Sequence, residues 1–131
     1  MPRRILIADD SLFLREQLRE FLEQNSSWQV FEAANGLEAV QKSKRVHPDV
    51  IILDYSMPVM DGLAATRELR RTAPGTPVLL FSMHASQWLQ DAAHQSGAVG
   101  AFSKSDWFTL RNRLERILSE EHAAGSLGRA S

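Results

Sequence analysis

The chain has 131 residues, 44% of them hydrophobic and 24% charged, which suits one soluble domain with a sizeable buried core. A formal charge of −1 leaves no whole-chain electrostatic footprint for nucleic acid or for a membrane surface. The absence of cysteine excludes disulfides, thiolate metal sites and cysteine nucleophiles. Arg3 and Arg4 lead into an apolar run too short for a signal-peptide core, and no stretch is long enough to span a bilayer, so a cytoplasmic protein is expected.

Five short apolar runs are expected to be strands: Arg4-Ile5-Leu6-Ile7-Ala8, Gln29-Val30-Phe31-Glu32-Ala33, Val50-Ile51-Ile52-Leu53, Val78-Leu79-Leu80-Phe81 and Gly100-Ala101-Phe102. The first, third and fourth are apolar without alternation, the pattern of strands covered on both faces. Glu32 interrupts the second, while Gly100 and Ala101 thin the fifth.

Helical patterns fill the gaps. Leu14, Leu18, Phe21 and Leu22 form a half-buried stripe behind a Ser11 cap. Asn35 caps a second helix, with Glu38 in the capping-box position and Pro48 as its stop. The third begins near Gly62 and ends before Pro74-Gly75; the fourth runs from about Ser86 to Gly97, a glycine suited to the left-handed end position. The fifth carries Leu110, Leu114, Ile117 and Leu118 behind Ser105 or Asp106. Strands alternating with helices predict repeated β-α units around a parallel sheet. From Glu120 onward the pattern gives way to small and polar residues, so residues 1–119 are expected to form the domain and 120–131 a flexible tail or the start of a linker.

Asp9-Asp10, Asp54, Ser82 and Lys104 stand just past the carboxyl ends of the first, third, fourth and fifth runs. In an open parallel sheet those ends form the ligand-binding edge, so three acids, a hydroxyl and an amine are expected to meet there. Clustered carboxylates repel and raise one another's pKa unless a cation neutralises them. Oxygen donors of this kind suit Mg²⁺. A carboxylate oxygen of Asp54 can attack phosphorus to give an acyl phosphate, a route of covalent catalysis. Pro58 and Gly62 shape the loop after Asp54, in which the Ser56 carbonyl could complete the metal's ligands.

Asp9-Asp10, Asp54 followed by Met57-Pro58 and Asp61-Gly62, Ser82 and Lys104 together resemble the receiver domain of two-component response regulators. The resemblance extends from Arg3 to about Ser119. It implies a flavodoxin-like three-layer sandwich with five parallel strands in the order 2-1-3-4-5 and five helices; a chemotaxis receiver is a standard illustration of that order. It also implies Mg²⁺-dependent transfer of a phosphoryl group to Asp54 from a sensor histidine kinase or a phosphotransfer protein. By position, Asp10 matches the direct metal ligand, Asp9 its helper and the Ser56 carbonyl a third protein ligand. Ser82 and Lys104 match the phosphoryl-sensing hydroxyl and the ion-pairing amine. The implied protein is a switch that catalyses only its own phosphorylation and dephosphorylation. Its homodimer or output contacts are expected on the face of the fourth helix, fifth strand and fifth helix, with no direct nucleic-acid or membrane binding.

Two departures accompany the resemblance. Ala101 takes the position where receivers often carry an aromatic residue, with Phe102 expected on the opposite strand face. Ser105 follows Lys104 where many receivers have proline, as in the subgroup joined to helix-turn-helix output domains. Two alternatives stand beside it: an unphosphorylated interaction module of the same fold, and an aspartyl-phosphate phosphatase. Against the second, such enzymes usually carry an acid two residues after the nucleophile, where this chain has Ser56. His84 is expected at the pocket rim, and His47, His94 and His122 on the solvated surface. Trp88, Trp107 and Phe108 are expected near the junction of the last two helices with the fifth strand.

Overall fold

The computed structural model describes residues 2–130, with side chains described over 2–119. The tail or linker expected over 120–131, and His122 with it, lie outside those described side chains. The chain alternates as expected: β1 Arg3–Ala8, α1 Leu12–Leu22, β2 Trp28–Ala33, α2 Gly36–Val46, β3 Val50–Asp54, α3 Gly62–Thr72, β4 Val78–Ser82, α4 Gln87–Ser96, β5 Gly100–Ser103 and α5 Trp107–Ala130. All strand pairs are parallel, in the order β2-β1-β3-β4-β5.

The order explains the uneven hydrophobicity of the five runs. Strands β1, β3 and β4 lie inside the sheet, and every residue of β3 and β4 is buried. The two weaker runs are the two edges. On β2, Glu32 meets Arg15 and Arg19 of α1 at 3.1 and 3.0 Å. On β5, the free edge of Ala101 is taken by the Gln90 amide of α4, which accepts from its N–H at 2.9 Å and donates to its carbonyl at 2.6 Å. His94 Nε2 lies 2.9 Å from the Val99 carbonyl, a contact that solvated-surface reasoning missed. A helix thus covers an edge that would otherwise present unpaired backbone groups.

Alternation along the strands sorts the core into two layers. Ile5, Ile7, Val50, Ile52, Leu79 and Phe81 face α1 and α5 through Leu18, Leu22, Leu110 and Leu114. Leu6, Ala8, Ile51, Leu53 and Leu80 face the other side, against Ala39, Val40, Ala65, Leu69 and Leu89 of α2, α3 and α4. Ala101 belongs to this second layer and Phe102 packs against the first, as the period-two reading expects.

Capping follows local chemistry. Ser11, Asn35, Asp61, Ser86 and Asp106 each accept from a backbone N–H three residues on, at 3.2, 2.8, 2.8, 3.2 and 3.1 Å. Gly97, with φ 99°, closes α4 in the left-handed conformation. Between β3 and α3 the chain makes a three-residue turn in which the Met60 N–H donates to the Pro58 carbonyl at 2.7 Å. Its centre, Val59, has φ 71°, an outlying conformation for a β-branched residue. Strain of this kind costs about 1–3 kcal/mol and clusters at functional loops.

Candidate functional site

The carboxyl ends of β1, β3, β4 and β5 converge because adjacent parallel strands run in register: Asp54 pairs with Phe81, and Ser82 with Ser103. Asp54 and Ser82 are the last residues of their strands, one position earlier relative to the strand ends than the apolar runs suggest. Asp9 follows β1 directly, and Lys104 follows β5.

The oxygen ligands of Asp9, Asp10 and Asp54 lie within 4.8 Å of one another. Asp9 and Asp54 are buried, and Asp10 is exposed. Lys104 reaches between the two buried acids, its Nζ lying 2.9 Å from Asp9 Oδ2 and 3.1 Å from Asp54 Oδ1. The Ser11 N–H donates to Asp9 Oδ1 at 2.8 Å, and the Ser56 N–H to Asp54 Oδ1 at 3.3 Å. Ser82 lines the same cleft as Asp54 and Lys104; its hydroxyl lies 3.3 Å from the His84 N–H and 3.4 Å from the His84 carbonyl.

The electrostatics are those of a site short of positive charge. Burial raises the Asp54 carboxyl above its ordinary pKa, the charge of Asp9 raises it further, and Lys104 only partly offsets both. Burial opposes the charge of Lys104, but its bonds to Asp9 and Asp54 outweigh that and hold its pKa above the ordinary value. Three carboxylates against one ammonium leave two negative charges in a small volume. A hard divalent cation fits this donor set, because it cancels that excess and takes oxygen ligands.

Beside Asp54 opens a cleft of about 410 Å³, lined by Tyr55, Ser82, Met83, His84, Trp88 and Lys104 among others. Tyr55 and Trp88 meet edge to face, with ring centroids 6.1 Å apart. Met83 and His84 are exposed at the rim, and Trp88 is largely exposed. Trp107 is half-buried: its indole N–H donates to the Lys104 carbonyl at 2.8 Å, and its ring packs edge-on against Phe21. Phe108 is exposed beside it.

Two supporting contacts escaped the sequence reading. Arg15 donates from Nη1 to the Asp9 carbonyl at 2.6 Å, and the Gln90 amide fastens α4 to Ala101. Charged and amide side chains bonding to distant backbone leave no periodic trace in a sequence.

A doubly wound α/β sheet with an acid cluster and a lysine at its strand ends defines a class of phosphoacceptor-type domain. Residues 5–117 match the response regulator receiver domain, and the chain belongs to that family. Protein-glutamate methylesterase/protein-glutamine glutaminase 1 of Methanosarcina acetivorans is 38% identical over 121 residues, covering 90% of this chain and 34% of the relative. The chain spans about a third of the length of the curated relatives it matches. Among solved structures, a LuxR-family two-component response regulator from an Aurantimonas species is similar with TM-score 0.85 and 31% identity, covering 92% of this chain and 87% of that one. The CheX–CheY–BeF₃–Mg²⁺ complex of Borrelia burgdorferi is similar with TM-score 0.77 and 26% identity, covering 93% and 90% of the respective chains. Among the described residues, no helix is long and apolar enough to cross a membrane.

Proposed function

We propose that Asp54 is the phosphoacceptor of a signalling switch and that Asp9, Asp10, Asp54 and the Ser56 backbone carbonyl hold Mg²⁺. One observation carries this reading: a buried carboxylate whose pKa is raised stands 3.1 Å from an ammonium and within 4.8 Å of two further acids. The donor is the phosphohistidine of a sensor histidine kinase or of a phosphotransfer protein. An Asp54 oxygen attacks phosphorus, the new O–P bond forms as the N–P bond breaks, and the imidazole leaves with the bonding pair. Such a transfer needs mainly in-line positioning and charge neutralisation. Mg²⁺, when bound, supplies neutralisation that Lys104 alone cannot.

The chain's own groups do the rest. The β3 backbone fixes Asp54, burial keeps bulk water from most of its surface, and Lys104 exchanges part of its carboxylate pairing for the phosphoryl oxygens. The Ser82 hydroxyl, bonded only at long range to the His84 backbone, is free to turn toward them. The added group brings about −1.5 to −2 charges and three strong acceptors, enough to bias two arrangements of the loop after β4 and of α4. The proposed output surface is α4, β5 and α5, where Trp88 and Phe108 are exposed, and its partner is a second copy or an output domain. The proposed location is cytoplasmic, in keeping with the cysteine-free composition.

Intrinsic fluorescence tests the reading, because Tyr55 and Trp88 line the cleft. Mg²⁺ is expected to give a saturable change, and beryllofluoride, a phosphoryl mimic, a second change only when Mg²⁺ is present. Silence to both would favour the unphosphorylated interaction module instead.

A further inference from the structure

Asp9 and Asp54 are each held by Lys104, whereas Asp10 is exposed and stands outside that pairing. Its direction therefore depends on the peptide that joins it to Asp9. That peptide is gripped from one side by a side chain seventeen positions before Glu32 in the chain. Arg15 donates from Nη1 to the Asp9 carbonyl at 2.6 Å and from Nε to Glu32 Oε1 at 3.1 Å. Only 13% of the Arg15 side chain and 19% of the Glu32 side chain are exposed, so this is a shielded, charge-assisted pair rather than a surface one.

Glu32 is itself immobilised. Its other oxygen accepts from Arg19 Nη1 at 3.0 Å, and its backbone carbonyl accepts from Lys42 Nζ at 2.5 Å. The N–H of Asp9 donates to the Ala33 carbonyl at 3.1 Å, and Asp9 Oδ1 accepts from the Ser11 N–H. The Asp9 backbone is thus bonded on both its N–H and its carbonyl to groups anchored on β2. Rotation of the Asp9–Asp10 peptide would break the Arg15 bond and leave a guanidinium in a shielded place with one partner fewer.

We propose that Arg15 is a positioning residue for the divalent-cation site. Bridging Glu32 and the Asp9 carbonyl, it sets the plane of the Asp9–Asp10 peptide and so the presentation of Asp10 to the ion. The proposal rests on the reading of Asp9, Asp10 and Asp54 as a Mg²⁺ site. Groups that orient metal ligands from behind typically change affinity by about 10–100-fold when removed.

The test is Mg²⁺ affinity by calorimetry on wild type, Arg15→Met and Glu32→Gln, with thermal unfolding of each in the absence of metal. Arg15→Met keeps an aliphatic stem and removes both bonds; its dissociation constant is expected to rise on the order of tenfold. Glu32→Gln leaves the arginine but loosens its anchor, and a smaller rise, beyond twofold, is expected. A purely structural arginine would lower the unfolding temperature and leave the affinity of the folded protein unchanged, and that result overturns the proposal. Should Arg15→Met fail to fold, an unchanged affinity in Glu32→Gln overturns it equally. If wild type itself takes up no Mg²⁺, the cation-site reading falls first and this inference with it.

Discussion

Asp54→Asn is expected to abolish phosphorylation by a histidine kinase or a small phosphodonor such as acetyl phosphate, while making the metal-free protein more stable. The first effect follows because the amide has no nucleophilic carboxylate oxygen. The second follows from the charge. Burial, then the neighbouring charge of Asp9, raise the Asp54 carboxyl above its ordinary pKa despite Lys104. The native state therefore binds this proton more tightly than the unfolded chain does, and stability falls as pH rises. The loss begins near the ordinary carboxylate pKa of about 4 and is complete above the raised folded value. At neutral pH the substitution removes that penalty, and Lys104 keeps Asp9 at 2.9 Å as its partner. A rise of a few degrees in unfolding temperature is expected at pH 7 without Mg²⁺. The gain should shrink as pH falls below about 4, where the carboxyl becomes increasingly protonated in the folded and unfolded chains alike. Calorimetric melting of both proteins across that range checks the sign, and full labelling of the variant would refute the nucleophile.

Gly62→Ala has the second large expected effect, here on the framework that holds Asp54. A Cβ at Gly62 would stand 2.5 Å from the Asp54 carbonyl oxygen and 3.0 Å from the Tyr55 Cα, both backbone atoms with no side-chain freedom to withdraw. The glycine N–H also donates to the Tyr55 carbonyl at 2.9 Å, which ties the start of α3 to the end of β3. Overpacking at such a point typically costs about 1–3 kcal/mol. The strand end must shift to relieve it, so Mg²⁺ affinity and labelling rate should fall together with stability. Gly75→Ala is the matched control, because a Cβ there meets nothing within 4 Å. It should be neutral or gain up to about 1 kcal/mol through the unfolded state. Equal unfolding temperatures for the two alanine variants would contradict the crowding argument.

The parts of the fold that depend on pattern were legible in the sequence. The covered strands β1, β3 and β4 announced themselves as unbroken apolar runs, and the structure uses the expected caps Ser11, Asn35 and Asp106. Asp9, Asp10, Asp54 and Lys104 could be assembled because strand ends share one edge of a parallel sheet. The strand order came from the family resemblance, since no local signal in β2 or β5 fixes which edge each occupies. Glu32 looked like a flaw in a strand because its partners, Arg15 and Arg19, lie on a separate helix. Ala101 looked only like a missing aromatic, yet its backbone is where Gln90 fastens α4. Such bonds join a side chain to a distant side chain or to distant main chain, and the types of residue involved do not predict them.

Side chains remote in sequence are proposed to create one Mg²⁺-dependent nucleophile at Asp54. Intact and peptide mass spectrometry of wild type after exposure to acetyl phosphate, with and without Mg²⁺, tests it most directly. One hydroxylamine-labile phosphoryl group on Asp54, formed only when the metal is present, is the predicted result. Labelling that is indifferent to Mg²⁺, or that falls on another residue, would contradict it.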